Sequence, residues 1–371
     1  MLQHMGGLSD ESVVEKWVEN PYWQYFCGYD FLQWEVPIDP SSLTRWRKRI
    51  GEEGLEKILS ATLTTALETK AAKPKDFERV IADTTVMEEN VTYPTDSALL
   101  NKARSLLIKR AKEEDIVLRQ SYARVGDRLA RKVSSYAHAK QFKRMRKGVK
   151  KLKVYLGRVM RDIDRKATED QKERFQDLWP LAQKLLTQEK KSKDKVYSLH
   201  APHTYCISKG KAHQPYEFGT KVSLVISHKQ GFALSSQTLD KPMYDGHTLK
   251  SALQKAQEIT RTPIKQSFVD KGYRGHGVEE TDVYLSGQRR GVTKALKKAL
   301  KRRSSIEPHI GHMKADGKLD RNYLKGIMGA QFNAILCAIG HNLRLILNHL
   351  KDIFTFIWQL ISQPQKLLAT I

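Results

Sequence analysis

Cysteine is scarce in this chain: Cys27, Cys206 and Cys337 are single residues scattered over 371 positions. No CxxC pair and no Cys/His spacing of the zinc type occurs. That excludes a disulfide framework and a structural zinc knot, and an odd, dispersed set fits a reducing interior. Long apolar runs are also missing. The apolar stretch Ile353 to Ile361 falls far short of the ~20 residues that span a bilayer, and the N-terminus has no basic-then-apolar signal pattern. The expectation is a cytoplasmic protein with no membrane partner. Three familiar catalytic motifs are absent too. Without GxSxG, GxxxxGK[ST] or HExxH, a serine-hydrolase elbow, a phosphate-binding loop and a zincin are all removed.

Acidic residues are the minority, with 41 Asp and Glu against 65 Lys and Arg, a net charge of +24 and a pI near 9.8. Residues 101–195 concentrate the excess, holding 29 Lys and Arg against 12 Asp and Glu. So one-sided a surface attracts polyanions, with nucleic acid first among them; a helical face kept soluble by charge is the plainer alternative. The length allows two or three compact units.

Residues 8–71 read as helical. Ser9 caps a helix running to Asn20 and halted by Pro21. After an aromatic cluster from Tyr22 to Trp34, Ser41 or Ser42 opens the short basic helix SSLTRWRKRIG, ended by Gly51. Arg45, Arg47 and Arg49 make it compatible with a helix-turn-helix-like DNA reader, and a small bundle with a charged outer face fits as well. RVIADTTV, residues 79–86, reads as a strand, and Ser97 to about Glu189 as helices. Residues 216–226 and 232–239 form a hairpin. A helix from about Thr248 to Thr260 and a strand ending at Asp270 follow. A short strand near Val283, a basic helix TKALKKALKRR and further helices through Leu350 complete the order. With the helical insert removed, this order matches a ribonuclease-H-like plan, a mixed sheet with helices packed on it.

Asp83, Asp270 and Glu307 stand apart from the other acids by context. The first two end apolar, β-branched runs, as if at strand tips; the third lies in RSSIEPHIGHMK, among Arg303, His309, His312 and Lys314. If the three converge, their hard oxygen donors suit two Mg²⁺ or Mn²⁺ ions beside a phosphodiester. Lys314 follows Glu307 by two helical turns and Arg303 precedes it by four residues, so both are candidates to hold phosphate. For Arg303 and Glu307 alone, an i,i+4 salt bridge is the plainer reading. Lys209 and Lys211 form a basic turn that suits a phosphate or a simple surface loop. Tyr273 and Arg274, beside Asp270, suit contact with DNA or packing at the strand end.

With those motifs in place, the chain resembles the insertion-sequence-five family of bacterial DDE transposases, related to the insertion-sequence-four group. The resemblance runs through VENPYWQYFCGYDF, DPSSLTRWRKRIGEEG, ADTTVMEENVTYPTDSALL, VYSLHAPHTYCISKGKAH, YEFGTKVSL, YDGHTL, VDKGYRG and SSIEPHIGHMKADGKLDRNYLKG. It implies a ribonuclease-H-like core, a metal triad on Asp83, Asp270 and Glu307, and two Mg²⁺ or Mn²⁺ ions per site. It also implies binding to terminal inverted repeats and target DNA by a homo-oligomer, with nucleoid association when bound. The family's Tyr-x2-Arg-x3-Glu-x6-Lys signature falls on Arg303, Glu307 and Lys314, with Leu300 at the tyrosine position. Relatives usually begin well before GLSDESVVEKWVENPYWQYF, which implies a shortened start and impaired end recognition.

The expected organisation is an N-terminal helical DNA-binding region at 1–75 and the first core strand at 76–96. A basic helical insertion at 97–195, the rest of the catalytic core at 196–350 and an apolar tail at 351–371 follow. The expected function is DNA cleavage and strand transfer. A ribonuclease-H-like nuclease without joining, or a DNA-binding remnant that regulates the element, are the alternatives.

Overall fold

The computed structural model describes residues 1–362 apart from 190, 211–213, 240, 242 and 289–290. Helices α1 (Leu2–Gly6), α2 (Asp10–Val18), α3 (Pro21–Phe26) and α4 (Ser41–Glu68) come first. Ser9 Oγ accepts the Ser12 N–H at 3.1 Å and closes the start of α2. Asn20 caps α3 in the same way. Pro21 is therefore the opening residue of a helix as well as a stop for the one before, because a first-turn N–H has no helical partner to lose. Gly51 kinks α4 at φ 60°, a conformation that glycine tolerates without steric cost. The basic helix thus continues past Gly51, and Leu55, Leu59, Leu63 and Ala66 bury one face of the continuation.

Strand β1 (Arg79–Glu89) is longer than RVIADTTV. After it come α5 (Asp96–Glu113), α6 (Ala123–His138), α7 (Phe142–Lys166), α8 (Glu169–Glu173) and α9 (Trp179–Thr187). Strands β2 (Tyr205–Ser208), β3 (Tyr216–Ser227) and β4 (Ala233–Leu239) lead to α10 (Asp245–Thr260). Strands β5 (Gln266–Val269) and β6 (Asp282–Leu285), helices α11 (Lys294–Arg302) and α12 (Ile306–Ala315), strand β7 (Arg321–Asn322) and helix α13 (Gly326–Ser362) finish the chain. The expected apolar tail is partly the end of α13, and residues 363–371 lie outside the described residues.

The chain divides into two compact units, Met1–Glu88 with Thr220–Ile371, and Glu89–Gly219. In the first, β3, β1, β5 and β6 lie side by side, with β4 on β3 and β7 on β1. β1 and β5 run parallel with Arg79 opposite Gln266 and Ile81 opposite Phe268. β5 and β6 are also parallel, whereas β3 and β4 form the antiparallel hairpin. Leu59, Ile81, Leu224, Leu253, Phe268 and Ile335 share the core of this unit. Central strands buried on both faces read as continuous apolar runs, which is why VIA was legible as a strand, whereas β3 was read from its alternation.

The second unit has a separate core built on Leu100, Leu107, Leu152, Leu156 and Phe175. Arg104, 2% exposed, donates to Asp127 Oδ1 at 2.8 Å and to the Ser121 carbonyl at 2.9 Å. It is a structural cation, not part of the basic surface. β2 pairs antiparallel with Tyr216–Gly219; at four residues it is too short to show an alternating pattern.

Two histidines, buried His341 and half-buried His4, make the first unit acid-sensitive. Burial pulls His341 down to about 4, although its Nε2–H donates to the Gly231 carbonyl at 3.0 Å. Burial does the same for His4, bonded to the Gly317 carbonyl. The unfolded chain takes up these protons near the ordinary histidine value of ~6.5. Stability is therefore retained above that value and lost as pH falls from about 6.5 towards 4. Thermal melts across this window should show that slope, and His341→Asn should flatten it. Gly231 adopts φ 80°, and a Cβ there would stand 2.2 Å from His309 Nε2. Gly231→Ala should lower stability by about 1–3 kcal/mol, seen as a reduced melting temperature.

Candidate active site

Pairing between β1 and β5 stops after Ile81 and Phe268. Continued for two residues, the same register sets Asp83 level with Asp270. Asp83 thus lies within a long strand, not at its tip; what ends there is the partner, β5. One further step, from β5 to β6, sets Asp270 level with Ser286, whose hydroxyl donates to Asp270 Oδ1 at 2.6 Å.

Glu307 enters from α12, behind a short 3-10 turn at Arg303–Ser305. Ser305 stands at the start of α12, and Ser304 instead donates to the Lys301 carbonyl. The turn aims Arg303 inward. Its Nη1 is 3.8 Å from Asp83 Oδ2 and its Nη2 is 3.7 Å from Glu307 Oε1. Arg303 also helps to hold Asp270 below the usual carboxylate range, after the larger effect of the Ser286 bond. One guanidinium therefore pairs with Asp83 and Glu307 and acts on Asp270 only through its field. The i,i+4 salt bridge expected of Arg303 and Glu307 is present, with Asp83 joined to it.

Asp83 is electrostatically unlike its partners. Burial raises its pKa, against the Thr84 backbone N–H and the Arg303 charge, which favour the carboxylate; Asp245 and Asp270 add to the rise. Thr84 N–H donates to Asp83 Oδ1 at 2.8 Å, and the Thr84 hydroxyl donates to Asp245 Oδ1 at 2.8 Å. Lys221 Nζ stands 2.5 Å from Asp245. Asp245, Lys221 and Thr84 thus form a support beneath Asp83 that sequence reasoning missed. The available signal was the Asp-Gly-His turn opening a helix, with an acid in its first turn.

The other candidates scatter. Tyr273 is buried, 1% exposed, with its hydroxyl close to Thr84 but outside hydrogen-bond geometry; its ring packs in the core and is closed to a base. Arg274 is exposed beside it. Lys314 lies on α12 and is partly buried. Leu300, at the signature's tyrosine position, packs against the core. Arg47 is bound to Asp10, Gln3 and Thr44, so it ties α4 to α2, whereas Arg45 and Arg49 are exposed. Lys209 lies 3.8 Å from Glu217. Lys211 lies outside the described residues.

The donor chemistry fits a hard divalent cation in kind: carboxylate oxygens, with no thiolate. As the side chains stand, no three His, Cys, Asp or Glu among the described residues gather closely enough to hold a metal. Arg303 takes the place between Asp83 and Glu307, and the 67%-exposed Glu307 side chain is the group with room to turn.

Known proteins place this site in context. A family described as "Transposase domain (DUF772)" matches residues 1–49, which cover α1–α3 and the exposed arginines at the start of α4. The protein "Uncharacterized protein ORF8 in nfe locus" of Rhizobium meliloti is 54% identical over 141 residues, 38% of this chain and 68% of that protein. The chain belongs to this transposase-related family. No solved structure matches it. Among the described residues no helix is long and apolar enough to cross a membrane.

Desolvating a charged Asp83 costs folding energy that an amide would not incur. In this transposase-related chain Asp83→Asn should therefore raise the melting temperature of the metal-free protein at neutral pH. A fall would mean that the Arg303 ion pair outweighs the desolvation.

Proposed function

We propose that the chain is a DDE transposase of the insertion-sequence-five kind, which cuts and joins DNA by phosphoryl transfer at Asp83, Asp270 and Glu307. The observation that carries this reading is the single Arg303 guanidinium paired with Asp83 and Glu307, with Asp270 level with Asp83 by the β1–β5 register. The ribonuclease-H-like plan is supported by the strand order β4-β3-β1-β5-β6, antiparallel in its hairpin and parallel from β1 through β6. It is supported further by the acids' place where β1 outruns β5.

In this reading Asp83, Asp270 and Glu307 would hold Mg²⁺ or Mn²⁺, which when bound relieves charge on the phosphate and activates the attacking oxygen. The chain's own residues do the rest. Thr84 and Ser286 fix the carboxylate rotamers by their hydrogen bonds. Asp245, neutralised by Lys221, braces β1 through Thr84. Arg303, released from Asp83 and Glu307, has the planar fork that matches a phosphate. Arg45, Arg49 and the basic faces of α6 and α7 offer contacts to the DNA backbone, and a pair of bound ends calls for more than one protomer.

Strand transfer with the element's own terminal repeats and Mg²⁺ tests the reading. Wild-type protein should yield joined products, and Asp83→Asn, Asp270→Asn and Glu307→Gln should each reduce them to background. Arg303→Gln should lower the rate by about a hundredfold or more, as loss of a preorganised charge at the reacting phosphate does. Hydrolysis without joining would identify a nuclease instead, and tight binding with no cleavage a regulator.

A further inference from the structure

A second basic centre lies in the same unit as the acids, and the proposed chemistry leaves it unused. It is a cavity of about 650 Å³ whose wall includes Lys75, Arg79, Lys229, Lys298 and Arg302. These cations come from four separate places: the turn before β1, the start of β1, the β3–β4 turn and α11. Its one acid, Asp76, is committed to the Lys73 N–H at 2.8 Å, the cap of its own short helix. Among the described residues no carboxylate pairs with any of the five cations, and none of them has a contact left unstated.

Exposed lysines are ordinarily a solvated face, but this cluster is concave and partly preorganised. Arg302 is held by two backbone carbonyls, Nε to His228 at 2.9 Å and Nη2 to Lys229 at 2.5 Å. Arg79 lies over the Phe268 ring, 5.5 Å from its centroid. The start of α11 also lines the cavity through Thr293, Ala295 and Leu296, and a helix start adds a positive end. Holding like charges together with no anion costs energy, so the arrangement favours a polyanion that enters it.

The cavity is linked to the acids by strand geometry. Arg79 and Asp83 are four residues apart on β1, on the same face, and so about 13 Å apart at a rise of ~3.3 Å per residue. Arg302 and Arg303 are neighbours, one serving each centre. We propose that this cavity binds the phosphodiester backbone of DNA, at a phosphate a few nucleotides from the one between the acids. It would anchor the substrate and set which phosphate reaches Asp83. This rests on the DNA-acting reading above.

The test uses the full chain and the combined variant Lys75→Gln, Lys229→Gln, Lys298→Gln, three exposed side chains with no structural bonds. Binding of a fluorescent duplex is followed against salt, for wild type, the triple variant and Asp83→Asn. The triple variant should melt like wild type while its log–log salt slope falls by about 0.9, the value for one phosphate given up. Asp83→Asn should not lower the slope. Phosphate-ethylation interference should disappear in the triple variant at a position a few nucleotides from the cleaved bond. An unchanged slope and interference pattern overturns the proposal. So does an unchanged slope together with calorimetric binding of pyrophosphate that the variant loses, since the cavity would then serve a free anion. Wild-type protein that binds DNA without cutting it sinks the transposase reading yet leaves the slope to judge the cavity. Wild-type binding that ignores salt sinks both.

Discussion

The parallel pairing of β1 with β5 is the constraint on which the site depends. It lasts three residues and then releases β1, so that Asp83 projects where its neighbour has become a turn at Asp270. A slip of one residue would turn Asp83 to the opposite face of the sheet. Buried Val80, Ile81 and Phe268 make such a slip costly, because both faces are packed and the exchanged side chains would no longer fit their neighbours. Register held by hydrophobic burial thus positions two carboxylates 187 residues apart in the chain.

Charge then decides how that position is used. Packing acids into a partly buried site is unfavourable, and Arg303 offsets part of the cost by standing between Asp83 and Glu307. The same cation suits a DNA phosphate once it is freed. In the proposed reading, one residue on a 3-10 turn both offsets carboxylate charge and supplies a phosphate donor. Asp245 and Lys221 repeat the logic one layer below, as a neutral pair bracing the strand that carries Asp83.

Much of the architecture was legible from residue pattern. Apolar runs marked β1 and β5, alternation marked β3, and helical spacing marked α5–α7, because burial imposes those patterns on the sequence. Individual roles were less legible. Arg47 and Arg45 look alike on paper, yet Arg47 is bound to Asp10 and Arg45 is exposed. Tyr273 sits beside an acid in a polar motif and is nonetheless buried. Arg104 belongs to the most basic stretch of the chain and lies in its core. In each case side-chain chemistry was plain and its surroundings were not.

By itself the sequence determined the types of element, the excess of positive charge, the three acid-bearing motifs and the scarcity of soft metal ligands. Local propensity and composition suffice for these. Only the tertiary structure decided that Arg303 pairs with Asp83 and Glu307, that Thr84 links Asp245 to the strand carrying Asp83, and that five cations without a carboxylate partner among the described residues line one cavity. Those meetings join residues tens to hundreds of positions apart. Nothing in a chain's own spacing encodes them until strand register and helix packing bring the segments together.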